Sequence, residues 1–272
     1  METKNLNFIL IFLILCTLIS FTSCKEKTFT TFESTTQSQE FTWVKGGIIR
    51  GDSSEKRIAL MFSGDEFADG GETILSTLKE EEILASFFFT GNFYRNPDFK
   101  SIIQNLKSQG NYLGAHSDKH LLYCSWENRD SLLVTKEEFE LDLMGNYVEM
   151  EKFGINPKEA TYYLPPYEWY NDSISSWTKD LGFQLINFTP GTLSHADYTT
   201  PDLKNYRSNE VILESIYSYE HEKGLNGFLL LSHIGVAPER EEKLYLELKS
   251  LIQDLKAKGY QFVKVDELLS RN

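Results

Sequence analysis

Residues 57–66 read Arg-Ile-Ala-Leu-Met-Phe-Ser-Gly-Asp-Glu. The five residues from Ile58 to Phe62 are apolar without alternation, so a strand here has both faces to bury. That pattern belongs to parallel sheets covered by helices, not to antiparallel sheets with one wet face. The apolar run ends abruptly in an adjacent carboxylate pair, Asp65 and Glu66. The same arrangement, an apolar strand followed at once by polar groups, recurs along the chain.

Leu84–Phe89, Tyr112–Ala115, Thr161–Leu164, Phe183–Phe188, Phe228–Ser232 and Tyr260–Val265 read as further strands. Between them, apolar residues at helical spacing predict helices over Gly71–Glu82, Pro97–Gln109, Thr135–Phe153, Asp172–Leu181, Asn209–Glu222 and Glu239–Lys258. Thr135 with Glu138 three residues on makes a capping box. This alternation predicts an α/β fold, a distorted (β/α) barrel of about seven parallel strands, TIM-barrel-like. In such barrels chemistry sits on loops at the C-terminal ends of the strands.

Reactive side chains fall at those strand exits. Asp65 and Glu66 follow the first strand. His116-Ser-Asp118-Lys-His120 follows the third, Pro165-Pro166-Tyr167-Glu168-Trp169 the fourth, and Ser194-His195 lies past Phe188. His233 ends the strand at Ser232. Two His at i and i+4 can face one way on a helical turn, and a carboxylate from another strand end would complete three ligands. Three protein ligands and an open position let zinc lower the pKa of a bound water to about 7.

The N-terminus reads differently. Residues 1–23 hold a short polar start, an apolar core from Phe8 to Ile19 and small residues before Cys24. The apolar run is too short to span a bilayer, which needs about 20 residues, and reads as a signal peptide. Phe21-Thr22-Ser23-Cys24 resembles a bacterial lipoprotein box, with Cys24 lipidated as the mature N-terminus. Residues 24–42 are rich in Thr, Ser, Gln and Glu and read as a flexible tether. A catalytic domain is expected over 43–272. Cys124 is left without a partner and is assigned to packing. The net charge of −13, with no basic stripe, excludes nucleic acid as a partner on electrostatic grounds.

The order of these motifs resembles the polysaccharide deacetylase family, over about Arg57 to Leu269. The residues that carry it are Leu84–Gly91, Gly114-Ala-His-Ser-Asp-Lys-His120, Pro165-Pro166-Tyr167 and Leu231-Ser232-His233. The resemblance implies metal-assisted removal of acetyl groups from a sugar polymer or oligosaccharide, with a divalent metal, zinc by preference. His116, His120 and either Asp65 or Glu66 would be ligands, and the other carboxylate the general base. His233 would protonate the leaving group, and the Tyr167 backbone amide would face the oxyanion. Pro166, Tyr167 and Trp169 would touch substrate. The localisation implied is the cell envelope, lipid-anchored to the membrane and facing the periplasm or exterior, and a monomer is expected.

Two departures stand out. The family's Thr-Phe-Asp-Asp-Gly is Met61-Phe62-Ser63-Gly64 here, with Asp65-Glu66 two residues later. The Arg expected before Pro-Pro-Tyr is Leu164. Glu168 is one group that could be rewired to compensate. Thr189, Thr192 and Asp197 are stand-ins for the family's late Asp. Tyr123, Trp126 and Tyr170 either stack on sugar rings or cap the core. Asp118 either orients one His or is a solvated turn residue. His195 and Asp197 either help shape the site or form a solvated loop, and His221 reads as surface. Two alternatives remain: a glycan-binding lipoprotein without turnover, and a hydrolase of a small non-glycan amide on the same scaffold.

Overall fold

The computed structural model of the protein describes residues 40–270. The leader, Cys24 and nearly all of the tether lie outside the described residues. Phe41 is buried, and β1 (Thr42–Val44) and β2 (Gly47–Arg50) form an antiparallel hairpin. Its turn places Lys45 and Gly46 in the left-handed region, at φ 46° and 76°.

The main body follows in chain order: β3 (Arg57–Gly64), α1 (Gly71–Glu80), β4 (Ser86–Phe89), α2 (Gly91–Arg95), α3 (Lys100–Ser108), β5 (Tyr112–Ala115), α4 (Lys136–Glu151) and β6 (Tyr162–Tyr163). After these come α5 (Asp172–Asp180), β7 (Gln184–Leu185), α6 (Asn209–Lys223), β8 (Phe228–His233), α7 (Leu248–Ala257), β9 (Gln261–Phe262) and α8 (Val265–Leu268). Seven strands pair in parallel, in the order β7-β6-β5-β4-β3-β8, with β9 on the first residues of β3. Both faces of β3 are buried, as its composition predicts. Ile58, Leu60 and Phe62 pack with the helices, while Ala59 and Met61 pack inward on Phe88, Leu229 and Leu231.

The sheet curls into the expected distorted barrel, and β2 helps close it. Ile48 bridges Ile186 in parallel, and Asn187 N donates to Ile48 O at 2.8 Å. Thr189 stitches the remaining gap: its Oγ1 donates to Ile49 O at 2.6 Å and accepts from Leu229 N at 2.9 Å.

The capping box at Thr135 is formed in both directions. Three local expectations need correction. The last helix begins at Leu248 and not at Glu239, because Arg240 is held in the interior, where its guanidinium donates to Thr199 O, Arg207 O and Asn209 Oδ1. The strand read over Tyr260–Val265 is only Gln261–Phe262, and Val265 opens α8. A short helix not read from sequence, α2, starts where Thr90 Oγ1 accepts from Phe93 N at 3.1 Å.

Candidate active site

The C-terminal ends of the parallel strands surround a cavity of about 850 Å³ that includes Asp65, Glu66, His116, His120, Tyr167, Glu168 and His233 on its walls. Sequence reasoning placed all of these residues at strand exits, and the fold brings them to one cavity.

At the end of β3, Ser63 and Gly64 are still in the strand and buried. A Cβ on Gly64 would lie 2.7 Å from Ile234 Cγ2 and 3.0 Å from Phe89 and Phe93, so no carboxylate fits at that position. Ser63 Oγ is buried without a partner among the described residues, and its Cα is in register with His233 across β3 and β8. Asp65 is the first carboxylate with room. Its Oδ1 accepts from Thr90 Oγ1 at 2.6 Å and from Asn92 Nδ2 at 3.4 Å. Glu66 is exposed at the rim.

At the end of β5, the two histidines do not sit on a helical turn. Ser117 and His120 take left-handed backbone, φ 74° and 54°, and this loop brings the rings to 5.0 Å between centroids. His116 Nδ1 donates to Leu164 O at 2.9 Å, which leaves Nε2 as the ring nitrogen with a free lone pair. Burial, and after it the charge of His120, hold the His116 imidazole well below its usual range. Burial also lowers His120, opposed by Asp65. Both rings are therefore neutral and able to donate lone pairs at neutral pH.

The loop between them is anchored from below. Asp118 neither orients a His nor lies in solvent: it is buried in an ion pair with Arg95 at 2.5 Å. Asp142 accepts from Lys119 N at 2.9 Å and from Tyr123 Oη at 2.5 Å. Tyr123 is thus a core residue and not a rim residue. Tyr170 is likewise buried, its hydroxyl donating to Val44 O.

At the end of β6, Glu168 N and Trp169 N fold back on Pro165 O and Pro166 O, and Tyr167 and Glu168 both take left-handed backbone, φ 58° and 54°. Tyr167 remains 44% exposed, with its ring 4.4 Å from His120 and 5.6 Å from Trp126. Trp126, 57% exposed, packs on Trp169 at 5.5 Å, and Trp169 carries the Arg129 guanidinium over its ring. An aromatic wall therefore stands beside the histidine pair. Glu168 is half-buried, and its carbonyl accepts from Asn187 Nδ2 at 2.8 Å. Burial pushes its carboxyl up to about 7, against the pull of His233 and reinforced by Asp197.

At the end of β8, His233 Nδ1 meets Asp197 Oδ1 at 2.6 Å, and His233 N donates to Asp197 Oδ2 at 2.9 Å. Asp197 is only 3% exposed, so the reading of this segment as a solvated loop is wrong for it. Burial by itself would push His233 down. The Asp197 charge and hydrogen bond, with Glu168 behind them, carry it above its ordinary value. The arrangement fixes Nδ1 on Asp197 and leaves Nε2 for a substrate. His195 stacks on Phe188 at 4.3 Å with Nδ1 buried and unpartnered, so it is part of the wall. His221 is exposed, as its sequence context predicts.

Two neutral imidazoles with a carboxylate beside them are donors of the type a divalent metal takes. Among the described residues, no three of His, Cys, Asp and Glu converge closely enough to enclose an ion. The donor chemistry fits a metal, and His116 and His120 are the donors whose rings lie together, 5.0 Å between centroids.

Comparison with known proteins bears on this geometry. The family profile described as polysaccharide deacetylase matches residues 50–186. A peptidoglycan-N-acetylmuramic acid deacetylase of Bacillus subtilis is 27% identical over 224 residues, covering 80% of this chain and 73% of that protein. A peptidoglycan-N-acetylglucosamine deacetylase of Bacillus cereus is 26% identical over 218 residues, covering 80% and 90%. Among solved structures, a CE4 family pseudoenzyme from Bacillus anthracis shares the fold, with a TM-score of 0.64 at 18% identity over 84% of this chain and 70% of that one.

Proposed function

The chain belongs to the polysaccharide deacetylase family, and from that premise we propose that it hydrolyses acetyl groups from an acetylated glycan of the cell envelope. The observation that carries the reading is His233, held on the buried Asp197 at 2.6 Å and lining the same cavity as the neutral His116 and His120. An imidazolium poised over a water-activating centre is what protonation of a leaving amine or alkoxide requires.

His116, oriented by Leu164 O, and His120 would hold a divalent metal together with Asp65, with zinc the best match to nitrogen and carboxylate donors. Such an ion supplies polarisation of the acetyl carbonyl and a water of lowered pKa. The remaining steps belong to this chain. The Tyr167 amide, on a turn fixed by Pro165 and Pro166, donates to the developing oxyanion. The aromatic wall of Tyr167, Trp126 and Trp169 stacks on sugar rings, and His233 gives its Nε2 proton to the departing nitrogen or oxygen. Lipidation at Cys24 and a tether would hold the domain as a monomer at the membrane surface.

A second reading, glycan binding without turnover, is favoured by Ser63 and Gly64 standing where the family's carboxylate pair is expected. Acetate release separates the two. Purified protein is incubated with acetylated xylan, chitooligosaccharides and peptidoglycan, with and without chelator and added zinc, beside His116→Ala. Acetate that disappears with chelator and in the variant supports the deacetylase. A folded protein that binds glycan and releases no acetate would sink it.

A further inference from the structure

We propose that Glu168 is the catalytic carboxylate of this site, the group that takes the proton of the attacking water. The inference rests on the hydrolytic reading above and deepens it. Neither carboxylate read from the sequence as a base is well placed for that work. Asp65 is already engaged by Thr90 and Asn92 and lies beside His120, where a metal ligand is needed. Glu66 is exposed at the cavity rim, where solvent screens its charge.

Glu168 differs on each count. It lines the same cavity, and its side-chain oxygens make no hydrogen bond among the described residues. The charged groups that face it are His233 from β8 and Asp197 from the loop before α6; Arg240 acts on the same His233 from behind. Ser63, in register with that same His233, offers only a buried hydroxyl without a partner among the described residues, and Leu164 brings no cation. The vicinity of His233 thus lacks a carboxylate from β3 and receives one from the β6 turn. The turn is costly: two consecutive non-glycine residues with φ above 50° cost on the order of 1–3 kcal/mol each and persist only when surrounding structure holds them. Asn187 does so, by binding the Glu168 carbonyl.

In the reaction, water loses a proton to Glu168 as its oxygen bonds to the acetyl carbon. The carbonyl electron pair moves to oxygen and returns as the C–N or C–O bond breaks. The departing sugar nitrogen or oxygen takes the His233 Nε2 proton. Acetic acid and free amine or hydroxyl leave, and the Glu168 proton passes to His233 to restore both groups.

The test is Glu168→Gln, with Glu168→Asp beside it, in full-length protein. Expected for the Gln variant are a loss in kcat of about 10²- to 10⁴-fold, with KM, metal content and melting temperature close to wild type. The acid limb of the pH profile should vanish, and the His233 imidazole, followed by NMR, should titrate at lower pH. Glu168→Asp should recover part of kcat. A Gln variant within about threefold of wild-type kcat overturns the proposal while leaving the deacetylase reading intact. Loss of activity that tracks loss of folded protein in both variants assigns Glu168 a structural role and overturns it too. Wild-type protein that releases no acetate overturns the reading beneath and this proposal with it.

Discussion

Asp197→Asn removes one charge, keeps the side-chain size, and leaves an amide oxygen able to accept from His233 N. What it takes away is the charged partner of Nδ1 at 2.6 Å. A hydrogen bond to a charged group is worth about 1.5–3 kcal/mol. At about 1.4 kcal/mol per factor of ten, that converts to a roughly 10- to 150-fold lower ratio of imidazolium to imidazole at a fixed pH. Burial then acts on His233 with only Glu168 opposing it. Activity that needs protonated His233 should fall by up to about that factor, in full above the wild-type folded value and by less below it, and the alkaline limb of kcat/KM should move to lower pH. Stability should follow the same pair. Because His233 is raised in the folded state, its pairing contributes in full below about pH 6.5 and fades as pH rises through the folded value. The melting temperature of the Asn variant should therefore lie furthest below wild type near pH 6 and approach it near pH 9. Acetate release across pH 5–9, with melts at the two ends, is the assay. An alkaline limb that stays in place, with an equal melting deficit at both pH values, would refute the assignment of Asp197 as the group that keeps His233 charged.

Gly64→Asp, which writes the family's second carboxylate back into the chain, should not raise activity. Its Cβ would press on Ile234, Phe89 and Phe93, and overpacking of this kind costs about 1–3 kcal/mol even without the buried charge, so the melt should drop. Trp126→Ala should raise KM for oligosaccharides by roughly 5- to 30-fold, the equivalent of about 1–2 kcal/mol of ring contact, with kcat nearly unchanged. Steady-state kinetics on a chain-length series checks it, and an unaltered KM would remove the aromatic wall from the substrate site.

Much of this architecture is legible in the amino-acid sequence. The unbroken apolar run of Ile58–Phe62 predicts a strand buried on both faces, and the structure splits its side chains between an inner and an outer core. The two histidines, His233 and the carboxylates all follow strands, and the barrel gathers strand ends by construction. Three features are not legible there. The 116–120 loop depends on left-handed residues Ser117 and His120, which carry no propensity signal for that conformation. The pairing of Asp197 with His233 spans 36 residues across an irregular segment, and no periodicity reports such a contact. Arg240 looks like one cation among the charges of Glu239–Glu242, yet it is fully buried and fixes three acceptors in the loop that carries Asp197. In each case tertiary hydrogen bonds decide the geometry, and single-sequence patterns record only local preference.

Ser63 and Gly64, standing where a carboxylate pair is expected, raise the question of which kind of protein this barrel is. The energetics of the site bear on the answer. A barrel that only holds glycan needs exposed rings such as Trp126. It does not need a carboxylate left half-buried on a left-handed residue with no hydrogen-bond partner among the described residues, nor a His held on a buried Asp with its other nitrogen toward the cavity. The carboxylate is a cost to the fold, because no hydrogen bond among the described residues offsets its desolvation. Nor does binding call for His116 to be neutral with one nitrogen fixed on Leu164 O and the other free. Costs of this type concentrate where protons are moved. In this chain Glu168, His116 and His233 line one cavity, while other buried charges such as Asp118 and Arg240 are paired or hydrogen-bonded in supporting loops. The substitutions at Ser63, Gly64 and Leu164 therefore read as a relocation of the carboxylate from β3 to the β6 turn, and it is the turnover number of Glu168→Gln against wild type that separates relocation from loss.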